Sequence, residues 1–385
     1  MPGCGPPRLR ATLRPAMRTF DLRSDTVTQP TPAMRAAMLA AAADDDAYGD
    51  DAAVVALEAR VADLLGKPAA LWLPTGTMAN QIAIALHCPR ASAIACVPGA
   101  HVRIHEDASA AALWGAQLMP IGGRFGFDVD ALEALVAEEA CGWPPVALVW
   151  LENTLGEAGG AVWPLVDRRA CPTGVDPLHP IAEQARSLGK ALHLDGARLW
   201  NAHVATGVPM AEWGRVADTV SVALSKGLGA PAGSVLCGPT DLILRARRLK
   251  HGLGGAMRQA PALLAAAGAH ALDHHVARLA DDHRRARQLA AAIADLPHWE
   301  VATPQTNLVL ARVAPPLRRA EPLCAALRAA GIRCYPNIAR EVRFALHLGI
   351  GDDDLATIIE TIRSALGMDP TRFVEAAEGA PKATS

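Results

Sequence analysis

This sequence lacks a dominant sign of charge: 37 lysines and arginines stand against 39 aspartates and glutamates, a formal net charge of -2. Without a basic excess there is no field to gather nucleic acid or anionic lipid, so the expected partners are small molecules and further copies of the chain. Paired cysteine motifs are missing as well. Cys4, Cys88, Cys96, Cys141, Cys171, Cys237, Cys324 and Cys334 are scattered with no C-x-x-C among them, which argues against a zinc ribbon or a disulfide scaffold and fits a reducing cytoplasm. Long apolar runs are absent too: the stretch Ala260 to Ala269 soon meets His270, Asp273 and Arg278, so no membrane span is expected. There is no internal repeat and no low-complexity block beyond a general richness in alanine.

What is present is enough chain for more than one core. At 385 residues, a large domain with a smaller companion is the expectation. Residues 1–19 open with an arginine-rich, acid-free stretch broken by prolines and glycines, a poor fit to an amphipathic targeting helix. They are expected to form a disordered extension, with Met17 as an alternative start. Residues 20–268 alternate short apolar runs with amphipathic stretches, the pattern of a layered α/β domain. Strands are expected at Ala69 to Leu73, Ala93 to Val97, Val146 to Leu151, Ala191 to Leu194, Thr219 to Ala223 and Ser234 to Cys237, in a mostly parallel sheet covered on both faces. Residues 269–368 read as a small α+β domain, with a long helix over Leu272 to Ala292 and strands near Asn307 to Val313 and Val342 to Leu348. Residues 369–385 read as a disordered tail.

Four motifs carry chemistry. PTGTMAN (Pro74 to Asn80) ends a strand and opens a helix, whose free N–H groups suit an anionic phosphate; Gly76 permits close approach and Thr77 adds a hydroxyl, with Met78 next in line. HLDGARLWNA (His193 to Ala202) delivers Asp195 to a strand end, where a carboxylate can hold a pyridinium N–H. SVALSKGLGAPAGSVL (Ser221 to Leu236) places Lys226 between apolar runs, where a desolvated amine can capture a cofactor aldehyde as a Schiff base. LGGAMRQ (Leu253 to Gln259) offers Arg258 as a phosphate clamp after a flexible turn. Singly, each has an ordinary alternative: a helix cap, a turn-capping aspartate, a solvated lysine, a surface arginine. Their joint occurrence is what counts.

Together with DLRSDTVTQPT (Asp21 to Thr31) and DDAYGDD (Asp45 to Asp51), these motifs resemble the low-specificity L-threonine aldolases, in chain order from residue 20 to residue 368. Those are fold type I pyridoxal-phosphate enzymes within the wider group of aromatic amino-acid β-eliminating lyases. The resemblance implies a homodimer or homotetramer that splits L-threonine, L-allo-threonine or related β-hydroxy-α-amino acids into glycine and an aldehyde. By similarity, Lys226 carries pyridoxal 5'-phosphate, Asp195 pairs with its ring nitrogen, and Gly76, Thr77, Met78, Arg198 and Arg258 belong to the cofactor site. His101 stands where the family stacks a histidine on the ring. Ser24, Arg198 and Arg343 match positions that grip the substrate carboxylate, and Tyr48 matches a tyrosine lent by a neighbouring subunit.

The chain also departs from the family pattern. Glu152, Asn153 and Thr154 are followed by Leu155 where relatives commonly have histidine, and Glu139 to Pro145 offers no second histidine, with Trp143 nearby. His251 stands where relatives often have a lysine, beside Lys250. Three readings of the missing histidine stay open: His101 or an ordered water as the base, a preference for bulkier β-hydroxy amino acids, or another reaction on the same cofactor such as β-elimination. His101 and His105, with Glu106, have the spacing of a metal pair but no evident third ligand, so no metal is expected.

Overall fold

A computed structural model describes residues 18–367, except His298 and Pro316. The expected tail and the expected extension as far as Met17 lie outside the described residues; Arg18 is described and ion-pairs with Asp354. Among the described residues, no helix is long and apolar enough to cross a membrane.

Strands β1 (Phe20–Asp21), β2 (Ala69–Leu73), β3 (Ala93–Cys96), β4 (Gln117–Pro120), β5 (Val146–Glu152), β6 (Ala191–Gly196), β7 (Thr219–Ala223) and β8 (Ser234–Gly238) belong to the first two thirds of the chain. Seven of them form one sheet in the order β2-β8-β7-β6-β5-β3-β4. The pairs from β7 through to β4 are parallel, while β8 runs against both β2 and β7. The expected α/β architecture and mostly parallel sheet are therefore what the chain adopts. Every residue of β3, β7 and β8 is buried, as both-faces coverage requires. β4 was not foreseen: Gln117 and Pro120 are exposed, Leu118 and Met119 only half-buried, and it sits at the sheet edge, where hydrophobic pattern is weakest.

The helices that matter to the site start with clear caps. α1 (Pro32–Ala40) and α2 (Ala52–Leu65) begin at Thr31 and Asp51, whose side chains accept from the N–H groups of Met34 and Val54. α3 (Gly76–His87) begins at Thr75, whose hydroxyl accepts from Met78 N at 3.0 Å. The long helix expected over Leu272 to Ala292 is instead two, Ala260–His274 and Leu279–Ile293. The chain bends between them where His275 Nδ1 meets the Leu228 carbonyl at 2.7 Å, a tertiary contact without local signature. The first of these helices runs unbroken across residues 268 and 269, and its Ala271 and Leu272 pack into the core of the large sheet.

A second core gathers the helix Leu279–Ile293 and a four-stranded antiparallel sheet. Its strands are β9 (Trp299–Val301), β10 (Leu308–Val313), β12 (Tyr335–Ile338) and β13 (Glu341–Ala345), in the order β12-β13-β10-β9, with β11 (Ile332–Arg333) paired to β1. Phe20 and Leu22 belong to this second core. The segment 23–28 thus leaves the smaller core and arrives at the carboxyl edge of the larger sheet, where Ser24 and Thr26 line the cleft.

Candidate active site

At that edge the sheet delivers side chains from several strands at once, the place where open parallel sheets hold ligands. β2 hands over to α3. β3 leads through Gly99 to α4 (His101–Ile104), β5 ends at Glu152, β6 at Gly196 just past Asp195, and β7 stops three residues before Lys226. Glu152 lies opposite Asp195 in register, and Asp195 opposite Ser221.

Two cavities adjoin here, of about 360 and 470 Å³, and both are walled by Thr26, His101, Asp195, Ala197 and Lys226. The inner one adds Thr75, Gly76, Thr77, Asn80 and Ser225; the outer one adds Ser24, His105, Glu157, Arg198, Tyr335 and Arg343. Sequence-expected residues from four separate motifs, together with His101 and Arg343, therefore converge on one cleft.

Asp195 is 2% exposed and accepts from Asn80 Nδ2 at 2.9 Å and from Ala197 N at 3.0 Å. Burial, and then the nearby Arg198 charge, lower the Lys226 pKa against the pull of Asp25, Asp195 and Glu152. Its amine is therefore more readily neutral than that of a surface lysine. Burial and the neighbouring Asp195 raise the Glu152 pKa, although Glu152 accepts from the N–H groups of Gly156 at 2.9 Å and His101 at 2.8 Å. Burial works against charge on His101, but its hydrogen bond to Glu106 (Nδ1 to Oε1, 2.9 Å) and the field of Asp195 outweigh it and raise its pKa.

The outer cavity carries two guanidinium groups. Arg198 is 8% exposed and donates through Nε and Nη2 to both oxygens of Asp25, at 2.8 and 2.7 Å. Asn307 Nδ2 adds a 3.1 Å bond to the same carboxylate. Burial alone would raise the Asp25 pKa; Arg198 foremost, with Lys226 and Asn307, holds it well below the usual carboxylate range. Arg343 stacks over Tyr335 at 4.8 Å, donates to the Arg23 carbonyl at 3.4 Å, and keeps a buried Nε with no partner among the described residues. Burial and the nearby Arg198 charge lower its pKa.

Three expected site residues are not brought into either cavity. Met78 packs in the apolar cluster between α3 and the helix Thr240–Gly252, and a Cβ added at Gly255 would lie 2.6 Å from its sulfur. Tyr48 is 81% exposed, and Arg258 points outward to Asp45 at 3.1 Å. The two lie on one surface, since Asp46 N donates to the Arg258 carbonyl and Tyr48 N to that of Asp45. Lys250, beside His251, is committed to a buried pair with Asp46 at 2.6 Å.

Asp25, Asn80, Glu106 and Glu157 were not singled out from the sequence as site residues. Asp25 directly follows Ser24 in the opening motif, and Asn80 closes PTGTMAN; both were visible but had no partner until the fold supplied one. Glu106 accepts from Asn80, Gln81 and His101 at 2.8, 2.7 and 2.9 Å. It thereby ties the helix α3 to the histidine. His101, Glu106 and Asp195 also bring ligand atoms within 4.8 Å of one another, the third group that the spacing did not reveal; protein donors already engage both carboxylates. Leu155 is buried in the large core, and Glu139 to Pro145 contributes to neither cavity, with Glu139 held by Lys190 and Val146 N at 2.7 Å each.

The family model described as "Beta-eliminating lyase" matches residues 21–315. "Low-specificity L-threonine aldolase 1" of Arabidopsis thaliana is 35% identical over 358 residues, 91% of this chain and 97% of that protein. "Low specificity L-threonine aldolase" of Escherichia coli is 37% identical over 349 residues, 90% and 99% of the two chains. The solved threonine aldolase of Leishmania major has the same fold, with a TM-score of 0.75 at 19% identity over 90% of this chain and 99% of its own.

Proposed function

The chain belongs to the beta-eliminating lyase family, and on that footing we propose that it is a pyridoxal-phosphate-dependent lyase. Its reaction is the cleavage of L-threonine, L-allo-threonine or related β-hydroxy-α-amino acids to glycine and an aldehyde. The architecture is that of fold type I, with the catalytic cleft at the carboxyl edge of the mostly parallel sheet. The observation that carries the reading is that one cleft presents a desolvated lysine, a buried carboxylate, a helix N-terminus and two guanidinium groups.

The residues fit the cofactor. The inner cavity ends at the first turn of α3, whose opening N–H groups lack intrahelical partners, and a Cβ at Gly76 would meet nothing within 4 Å. Gly76, Thr77 and Ser225 would hold the phosphate, Asp195 the ring N–H, and Lys226 the aldehyde carbon, covalently. Bound there, pyridoxal phosphate supplies a cationic ring that takes up the electron pair left on Cα when a substrate bond breaks. Asn80 and the Ala197 N–H fix the Asp195 carboxylate in position to meet that ring. His101, oriented by Glu106, forms the wall over the ring.

Arg198 and Arg343, with Ser24, bind the substrate carboxylate. Holding that group fixes which Cα bond stands perpendicular to the ring, and this orientation selects cleavage to Cβ. Arg258 and Tyr48 stand outside their own cleft; we assign them to the site of a neighbouring copy in a dimer or tetramer. Met78 supports that surface by packing under the Gly255 turn. The large cofactor-binding unit and the smaller C-terminal one are best divided in the bend between His274 and Leu279. Seven described cysteines with free thiols support a cytoplasmic setting.

The purified protein loaded with pyridoxal phosphate, given L-threonine, L-allo-threonine and phenylserine, should yield glycine and the matching aldehyde. Release of a 2-oxo acid and ammonia would instead identify β-elimination. Lys226→Ala should abolish turnover in either case; an unchanged steady-state rate in that variant refutes the assignment.

A further inference from the structure

His105 lines the outer cavity with Lys226, Arg198 and Arg343. It takes no part in the inner cavity, where the cofactor reading places the ring. Its Nε2 lies 2.9 Å from Glu157 Oε1, and the Glu157 side chain is 11% exposed. A carboxylate that accepts from Nε2–H selects the neutral tautomer whose lone pair is on Nδ1, which makes that nitrogen a proton acceptor. The pairing depends on the backbone at Gly99. A Cβ there would stand 3.0 Å from Glu157 Cβ, so glycine is what lets the carboxylate approach.

The other basic groups of the cleft have commitments. His101 lines both cavities, but its Nδ1 is taken by Glu106 and the functional reading places its ring over the cofactor. Glu152 is held by two backbone N–H groups, Asp195 by Asn80 and Ala197 N, and Lys226 is reserved for the cofactor. With the substrate carboxylate on Arg198 and Arg343, what remains of the outer wall for the β-substituent includes His105.

We propose that His105, positioned by Glu157, accepts the proton of the substrate's β-hydroxyl. This rests on the functional reading above. The proton leaves the β-oxygen for Nδ1, and the oxygen's electron pair closes the carbonyl of the departing aldehyde. The Cα–Cβ pair stays on the glycine fragment, whose Cα later regains a proton. Glycine, which has no β-hydroxyl, needs His105 for none of this.

The test compares holoenzyme carrying His105→Phe, His105→Asn or Glu157→Gln with the unaltered protein. It measures kcat and KM for phenylserine cleavage and, separately, glycine binding from the absorbance of the bound cofactor. For His105→Phe, kcat should fall by on the order of 100-fold or more while glycine binds as before. His105→Asn should fall comparably, since its amide cannot take the proton, and Glu157→Gln should fall less. Wild-type kcat in His105→Phe overturns the proposal. So does a parallel loss of glycine binding, which would make the residue part of the general architecture. If the unaltered holoenzyme binds glycine but cleaves no β-hydroxy amino acid, the functional reading itself falls and takes this proposal with it.

Discussion

Arg343 is held on one face by Tyr335 and by one weak backbone contact, with no partner for its Nε among the described residues. A substrate carboxylate would complete its bonding. Charge-assisted hydrogen bonds of this kind are worth about 1.5–3 kcal/mol, so Arg343→Ala should raise KM for the amino acid roughly 10- to 100-fold with a smaller effect on kcat. An unaltered dependence of rate on substrate concentration counts against the role. Arg198 is a different case, because Asp25 already engages it on two nitrogens. Replacing Asp25 with asparagine should destabilise the fold by about 3–5 kcal/mol at neutral pH, since it leaves a buried guanidinium uncompensated. The sign with pH follows from the lowered folded pKa of Asp25. The wild-type advantage is fully present above the unfolded value of about 3.9 and is lost as pH falls through the folded one. Denaturant midpoints of the two proteins should therefore converge as the buffer is made acidic; a gap that widens would contradict the pairing. Lys226, Asp195 and Gly76 were legible in the sequence because each sits at the junction of an apolar run and a turn. Asp25 and Glu157 were not, because their partners lie 173 and 52 residues away.

Elements bring these groups together, and their packing has little tolerance. The helix Met210–Val216 lies so close to the end of α2 that a Cβ on Gly214 would stand 1.9 Å from the Leu65 carbonyl oxygen. Backbone cannot yield as a flexible side chain would, so Gly214→Ala should cost several kcal/mol, on the order of the larger overpacking penalties. A thermal midpoint equal to wild type would show that the two helices can separate. The buried strands could be read from composition because both faces are covered, which makes their residues almost uniformly apolar. The edge strand β4 could not, and neither could the bend after His274, where His275 meets the Leu228 carbonyl on another loop. A helical pattern continues through such a bend, because periodicity records which face is apolar and not where an axis turns.

On the scale of the whole molecule, two cores share one cleft. Phe20 and Leu22 pack in the smaller core, the chain crosses at residues 23–28 to the larger sheet, and it returns to the smaller core after the helix Ala260–His274. Composition marked a change near residue 268, but packing carries that helix with the large core. Tyr48 and Arg258 remain on the surface, and the proposal that they complete a neighbour's site predicts complementation. Chains carrying Arg258→Ala and chains carrying Lys226→Ala, each nearly inactive alone, should recover roughly a quarter of wild-type activity after mixing and reassembly as dimers. No recovery would place Arg258 outside the shared site. The chemistry, however, rests on one amine. Protein incubated with pyridoxal phosphate, reduced with borohydride and digested should carry the phosphopyridoxyl group on the peptide containing Lys226. A label confined to other lysines, or none at all, would contradict the account.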